Sequence, residues 1–173
     1  MHDTLTLLVN VGTLLGVAIA AYSIWAGNRY QRRKDTMDHL NMVATSLWQL
    51  KRSFGVQPDS AQLSDQQIES LIAGDDPERG TLHEILSTYE YVAVGANTGL
   101  YDVRTLDRLI GGNIIRDWGR FGAYVLTFRR QLNRTTTWSE FETLAEQVRE
   151  LRSHTIDQDM HSVTRQGEAQ AAA

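Results

Sequence analysis

Between Asp3 and Arg29 the chain carries no charged side chain. The stretch Leu5–Ala26, LTLLVNVGTLLGVAIAAYSIWA, has 22 residues. At about 1.5 Å per residue, a helix of that length crosses roughly 30 Å of hydrocarbon. Soluble helices rarely stay uncharged for so long, so this run is expected to be a transmembrane helix. A cleaved signal peptide is the competing reading, because Ala18-Ile19-Ala20 resembles a small-x-small cleavage site. Signal peptides, however, place positive charge before the apolar run. Here Asp3 precedes it, and Arg29, Arg32, Arg33 and Lys34 follow it. Positive charge on that flank sets the expected orientation: N-terminus outside, C-terminal domain in the cytoplasm. Tyr22, Trp25 and Tyr30 stand at the same end, where an interfacial aromatic belt would lie.

The expected anchor is uneven around its circumference. At about 100° per residue, Gly12, Gly16, Ala20, Ser23 and Gly27 fall on one side, with Thr6, Asn10 and Thr13 beside them. Larger residues fill the other half. Small residues let helix backbones approach, and Asn10 offers a hydrogen bond across such an interface. The face of Gly12, Gly16, Ala20 and Asn10 is therefore a self-association candidate, with a second copy of the chain as partner.

Beyond the basic flank the helical pattern continues without a breaker. Leu40, Val43, Leu47, Leu50 and Phe54 repeat at spacings of 3 and 4, a heptad seam that extends the self-association candidate. One helix is expected to run from the anchor to about Phe54 and stop at Gly55 and Pro58. Ser64–Gln67 reads as a capping box for a short helix ending at Gly74. Asp76-Pro77 opens a further helix with Leu82, Ile85, Leu86, Tyr89, Val92 and Ala93 on its apolar face, terminated by Gly99. Asp102 caps the next, which is expected to end at Gly111-Gly112 before a long helix from Asn113 to Arg134. Thr137–Glu140 reads as a second capping box, opening a helix with Phe141, Leu144, Val148 and Leu151. Apolar residues keep a period of 3.6 throughout, so the class is all-α: an N-terminal transmembrane helix continuing into a cytoplasmic helical bundle. The expected division is 1–34 anchor, 35–155 bundle and 156–173 flexible tail.

Composition removes several kinds of chemistry. The 173 residues include no cysteine, which excludes disulfides, thiolate nucleophiles and Cys-based zinc sites. No phosphate-binding loop, nucleophile elbow or His-Glu-x-x-His motif is present, so no cofactor or metal is expected and an enzyme is the less favoured reading. Arg116, Arg120, Arg130 and Arg134 form a stripe on the helix from Asn113, a candidate for an anion or a protein partner in the cytoplasm. Taking the four cations and one anion of the first 34 residues from totals of 17 and 21 leaves 13 and 20 beyond them, a balance of −7. That balance disfavours nucleic acid as a partner and favours pairing of the stripe with carboxylates. Glu90, between Tyr89 and Tyr91, reads as a satisfied buried polar group or a surface residue, with a buried acid of shifted pKa as the alternative. His154, Asp157 and His161 have helical metal-ligand spacing, in a segment expected to fray.

The stretch Ile85–Arg130 resembles an uncharacterised bacterial family of single-span membrane proteins with a cytoplasmic helical domain. The residues that carry the resemblance are Tyr89–Gly95, Gly99–Asp102 and Leu109–Trp118. It implies architecture and brings no catalytic motif. The size and layout are also similar to the membrane accessory proteins of type VI-B CRISPR systems, which join an anchor to a degenerate HEPN-like bundle. Arg149 and His154 share the Arg-x4-His spacing of the HEPN ribonucleases, which implies a catalytic pair acting on RNA. Two functions are thus expected to compete. One is a membrane-anchored homo-oligomer acting as an interaction or membrane-perturbing module, in stress or antiphage defence. The other is a membrane-anchored HEPN-like ribonuclease.

Overall fold

The computed structural model describes residues 2–57, 60–74 and 76–154, with side chains from residue 13 onward. Among the described residues the chain is helical and has no strand. Helix α1 spans His2–Ser53 as one rod of 52 residues, about 78 Å at 1.5 Å per residue. Its two halves live in different surroundings. From residue 13 to 35 every side chain except half-buried Ala26 is exposed. From Thr36 onward the heptad seam turns inward, and Leu40, Val43, Leu47 and Phe54 are buried. Among the described residues no helix is long and apolar enough to cross a membrane. The Leu5–Ala26 run begins eight residues before the first described side chain.

After α1 ends, Ser64 caps α2 (Asp65–Ala73) through the expected reciprocal box with Gln67, and Gly74 closes it at φ 90°. Asp76 accepts the Glu78 amide at 2.8 Å, and α3 spans Arg79–Asn97. Gly99 follows at φ 75°, a conformation that suits glycine. Asp102 then caps α4 (Val103–Leu106), accepting the Thr105 amide at 2.8 Å.

The expected break at Gly111-Gly112 is absent. Instead a π-helical turn, Asp107–Gly111, carries the chain from α4 straight into α5 (Gly112–Leu132). Gly111 has ordinary helical φ, so its value here is space, not flexibility. A Cβ at Gly111 would collide with the Asp107 carboxylate, which is ion-paired to Arg152 at 2.6 Å. The last helix among the described residues, α6, covers 139–154.

Helix α3 runs through the middle of the bundle, with Leu82, Ile85, Leu86, Tyr89, Val92 and Ala93 fully buried. Helices α1 and α4 pack together at one side, α1 also lies along α3, and α2 sits on α5. From α5 come Ile114, Phe121, Tyr124, Val125 and Phe128; from α6 come Phe141, Leu144, Ala145 and Val148. Ring contacts knit these layers: Tyr89 stacks on Phe141 at 4.5 Å, and Phe54 meets Phe121 edge-on at 5.9 Å.

The start of α6 departs from its expected capping box. Trp138 lies just before the helix with φ 56°, and its indole is buried against His83, Tyr124 and Phe128. The Glu90 carboxylate of α3 accepts the Phe141 amide at 2.8 Å and the Glu140 amide at 3.3 Å. The cap comes from another helix, and Glu90 is the satisfied polar group.

A basic-rimmed cavity between α1 and α5

On the buried stripe of α5, one turn after Ile114 and one before Phe121, stands a carboxylate, Asp117, 1% exposed. A lone buried carboxylate costs several kcal/mol, so its partners decide whether the fold tolerates it. Three groups converge on it. Lys51 from α1 donates to Oδ2 at 2.6 Å, the Tyr89 hydroxyl from α3 donates to Oδ2 at 2.6 Å, and Arg120 Nη1 donates to Oδ1 at 3.2 Å. Arg120, itself 4% exposed, also donates to the Ser60 carbonyl at 2.9 Å and the Gln57 carbonyl at 3.2 Å. It therefore pins the α1–α2 connection to α5.

Tyr89 is held neutral. Burial pushes its phenol well above 10, and the charge and hydrogen bond of Asp117 push the same way, against weaker opposition from Arg120 and Arg116. It acts as a hydrogen-bond donor, not as an acid–base group.

This cluster floors a cavity of about 510 Å³ between the end of α1 and the start of α5. One wall is apolar, formed by Ala44, Leu47, Val56 and Ile110. The rim carries Arg52 and Arg116, both exposed, with Gln57 and Asn113 between the walls. Trp48 stands at the mouth, 60% exposed, with the Arg52 guanidinium 5.4 Å from its ring centre. Lining cations number four (Lys51, Arg52, Arg116, Arg120) against the single carboxylate of Asp117, in a chain of net charge −4. Among the described residues neither Arg52 nor Arg116 is in an ion pair.

The arginine stripe therefore divides. Arg120 is buried and structural, and Arg116 lines the cavity. Arg130 and Arg134 are exposed toward the other end of α5, about 21 Å further along for Arg130. It is Arg129, outside the stripe, that pairs with a carboxylate there, Glu142 at 2.6 Å. Lys51, Asp117 and Trp48 were absent from the sequence-based candidates. The available signal was Asp117 itself, a charge at i+3 from Ile114 and i−4 from Phe121 on an apolar stripe.

The heptad seam needs a correction. Leu40, Val43 and Leu47 are buried within the chain's own bundle and Leu50 is half-buried, so the partner of the seam is intramolecular, not a second copy. Gly16 and Ala20 are exposed, whereas the side-chain positions of Asn10 and Gly12 lie outside the described residues. Arg149 and His154 are both exposed on α6, about 140° apart around its axis. Asp157 and His161 lie outside the described residues, among which no cluster of metal ligands occurs.

No curated protein and no solved structure matches the chain, and the expected similarity to CRISPR accessory proteins finds no support. A family model described as a domain of unknown function, DUF4760, matches residues 10–148, and the chain belongs to that family.

Proposed function

We propose that the chain is a membrane-anchored binding module. Residues 5–26 sit in the bacterial inner membrane with the N-terminus outside, and α1 carries the helical bundle into the cytoplasm. One observation carries this reading: Leu14, Ile19, Ile24 and Trp25 are 71%, 64%, 68% and 57% exposed on a stretch of α1 that projects clear of the bundle. In water each such side chain would forgo about 1.5–3 kcal/mol of burial, and a bilayer supplies that burial without any protein partner. The four cations from Arg29 to Lys34 orient the helix. The face of Gly12, Gly16, Ala20 and Asn10 then lies at bilayer depth, where small residues favour pairing with a second copy.

Alkaline carbonate extraction of membranes tests the anchor. The wild-type chain is expected in the pellet and Leu15→Lys/Ile19→Lys in the supernatant, whereas a wild type stripped by carbonate would overturn the proposal. Because the chain lacks cysteine, single cysteines placed at Thr4 and Ser153 test orientation. An impermeant maleimide added outside intact spheroplasts is expected to label only the first. Light scattering of the full chain in mild detergent reads self-association, which Gly16→Leu is expected to weaken.

A further inference from the structure

The cavity between α1 and α5 has two kinds of wall. Its rim offers two exposed guanidiniums, Arg52 and Arg116, neither in an ion pair among the described residues. Guanidiniums bind phosphate oxygens bidentately and keep their charge at any physiological pH. Its inner wall is aliphatic, and the mouth holds the face of Trp48, 60% exposed. An aromatic face beside cations suits a planar ring joined to an anion. The side-chain amides of Gln57 and Asn113 add donors and acceptors to the lining. A volume of about 510 Å³ lies within the usual range for small-molecule sites, roughly 300–1,000 Å³. The floor is already satisfied, since Asp117 is taken by Lys51, Tyr89 and Arg120. It thus offers a rigid, neutralised base and no carboxylate that would repel an anion directly.

We propose that this cavity binds a mononucleotide, with the phosphate held by Arg52 and Arg116 and the base against Trp48. An anionic lipid headgroup shares the phosphate chemistry. Lys51 lies 22 residues beyond Arg29 on the same helix, about 33 Å along its axis. That distance sets the cavity beyond the headgroup layer and favours the soluble ligand. This choice of source rests on the membrane reading, whose failure would appear in the carbonate wash and not in a titration.

The test is calorimetric titration of the full chain in phosphatidylcholine nanodiscs with nucleoside 5′-mono- and diphosphates, adenosine and inorganic phosphate. Saturable binding of at least one nucleotide is expected, with adenosine and phosphate each about tenfold or more weaker. Arg52→Ala/Arg116→Ala should abolish it and Trp48→Ala weaken it about tenfold, all at exposed positions that leave the far-ultraviolet circular dichroism unchanged. Arg130→Ala/Arg134→Ala should leave binding intact. Absence of saturable binding by any nucleotide up to millimolar concentration, or binding that survives loss of both rim arginines, would overturn the proposal. So would nucleotide binding abolished by phosphatidylglycerol in the disc, because the lipid headgroup would then be the occupant.

Discussion

The Asp117 carboxylate and the Lys51 ammonium meet at 2.6 Å across 66 residues of chain, joining the distal end of α1 to α5. This contact helps make the C-terminal half of α1 part of the bundle instead of a stalk beneath it. Tyr89 and Arg120 share the same carboxylate, so four polar groups depend on one another in an otherwise apolar layer.

Asp117→Asn should lower stability by about 3–5 kcal/mol, because the buried negative charge that Lys51 and Arg120 both engage is then removed. Urea unfolding followed by circular dichroism measures it. Lys51→Met should cost less, since Arg120 and Tyr89 still serve the carboxylate and the Lys51 side chain is already 18% exposed. Equal losses for the two variants would show that the Lys51 contact alone accounts for the aspartate's contribution.

Two glycine-to-alanine changes on helices should act in opposite directions. At Gly95 an added Cβ would run into the Tyr101 ring, whose backbone amide is bonded to the Gly95 carbonyl at 2.9 Å. Gly95→Ala is expected to destabilise by about 1–3 kcal/mol. At Gly119 a Cβ meets nothing within 4 Å. Gly119→Ala is expected to stabilise by about 0.5–1 kcal/mol. Thermal denaturation of the two variants side by side decides both signs.

Removing the Glu90 carboxylate uncovers the first amides of α6. Glu90→Ala should cost about 1–2 kcal/mol, as loss of a helix cap does elsewhere. Amide hydrogen exchange should quicken first at Glu140 and Phe141, and exchange confined to α3 would contradict the capping role.

The pH profile has an acid limb and an alkaline one. Burial, and then the nearby Arg79 charge, hold the His83 pKa below 6.5. A depressed folded pKa contributes stability that is present above the unfolded value and lost as pH falls through the folded one. Stability should therefore drop below about pH 6.5, and His83→Phe should flatten that part of the curve. For Tyr124, burial pushes the phenol up to about 12, against Arg79. Its contribution is complete below pH 10 and is lost as pH rises from there through about 12. Phenolate absorbance should show this tyrosine ionising well above pH 10, the ordinary phenol value.

Much of the architecture could be read from spacing. The uninterrupted run to Phe54, the Ser64–Gln67 box, Gly74, Gly99 and the Asp102 cap all depend on interactions within a few residues, which local order reveals. The π-helical turn was not legible, because Gly-Gly usually marks a break. Here Gly111 makes room for the Asp107–Arg152 pair, whose partners are 45 residues apart. The Thr137–Glu140 box misled for the same reason: a carboxylate 51 residues upstream reaches the Phe141 amide.

By itself the sequence determined the all-helical class, most helix ends and the charge-free run along α1, since period, capping chemistry and desolvation cost act along the chain. Only the tertiary structure decided which partner each face meets. A heptad seam looks the same whether it packs on a second copy or on the chain's own α3, and a basic stripe does not show which arginine is buried. Burial of Leu40, Val43 and Leu47 and capture of Asp117 by Lys51, Tyr89 and Arg120 depend on helices distant in sequence. Their approach converts a patterned surface into a closed core with a cationic cavity at its edge.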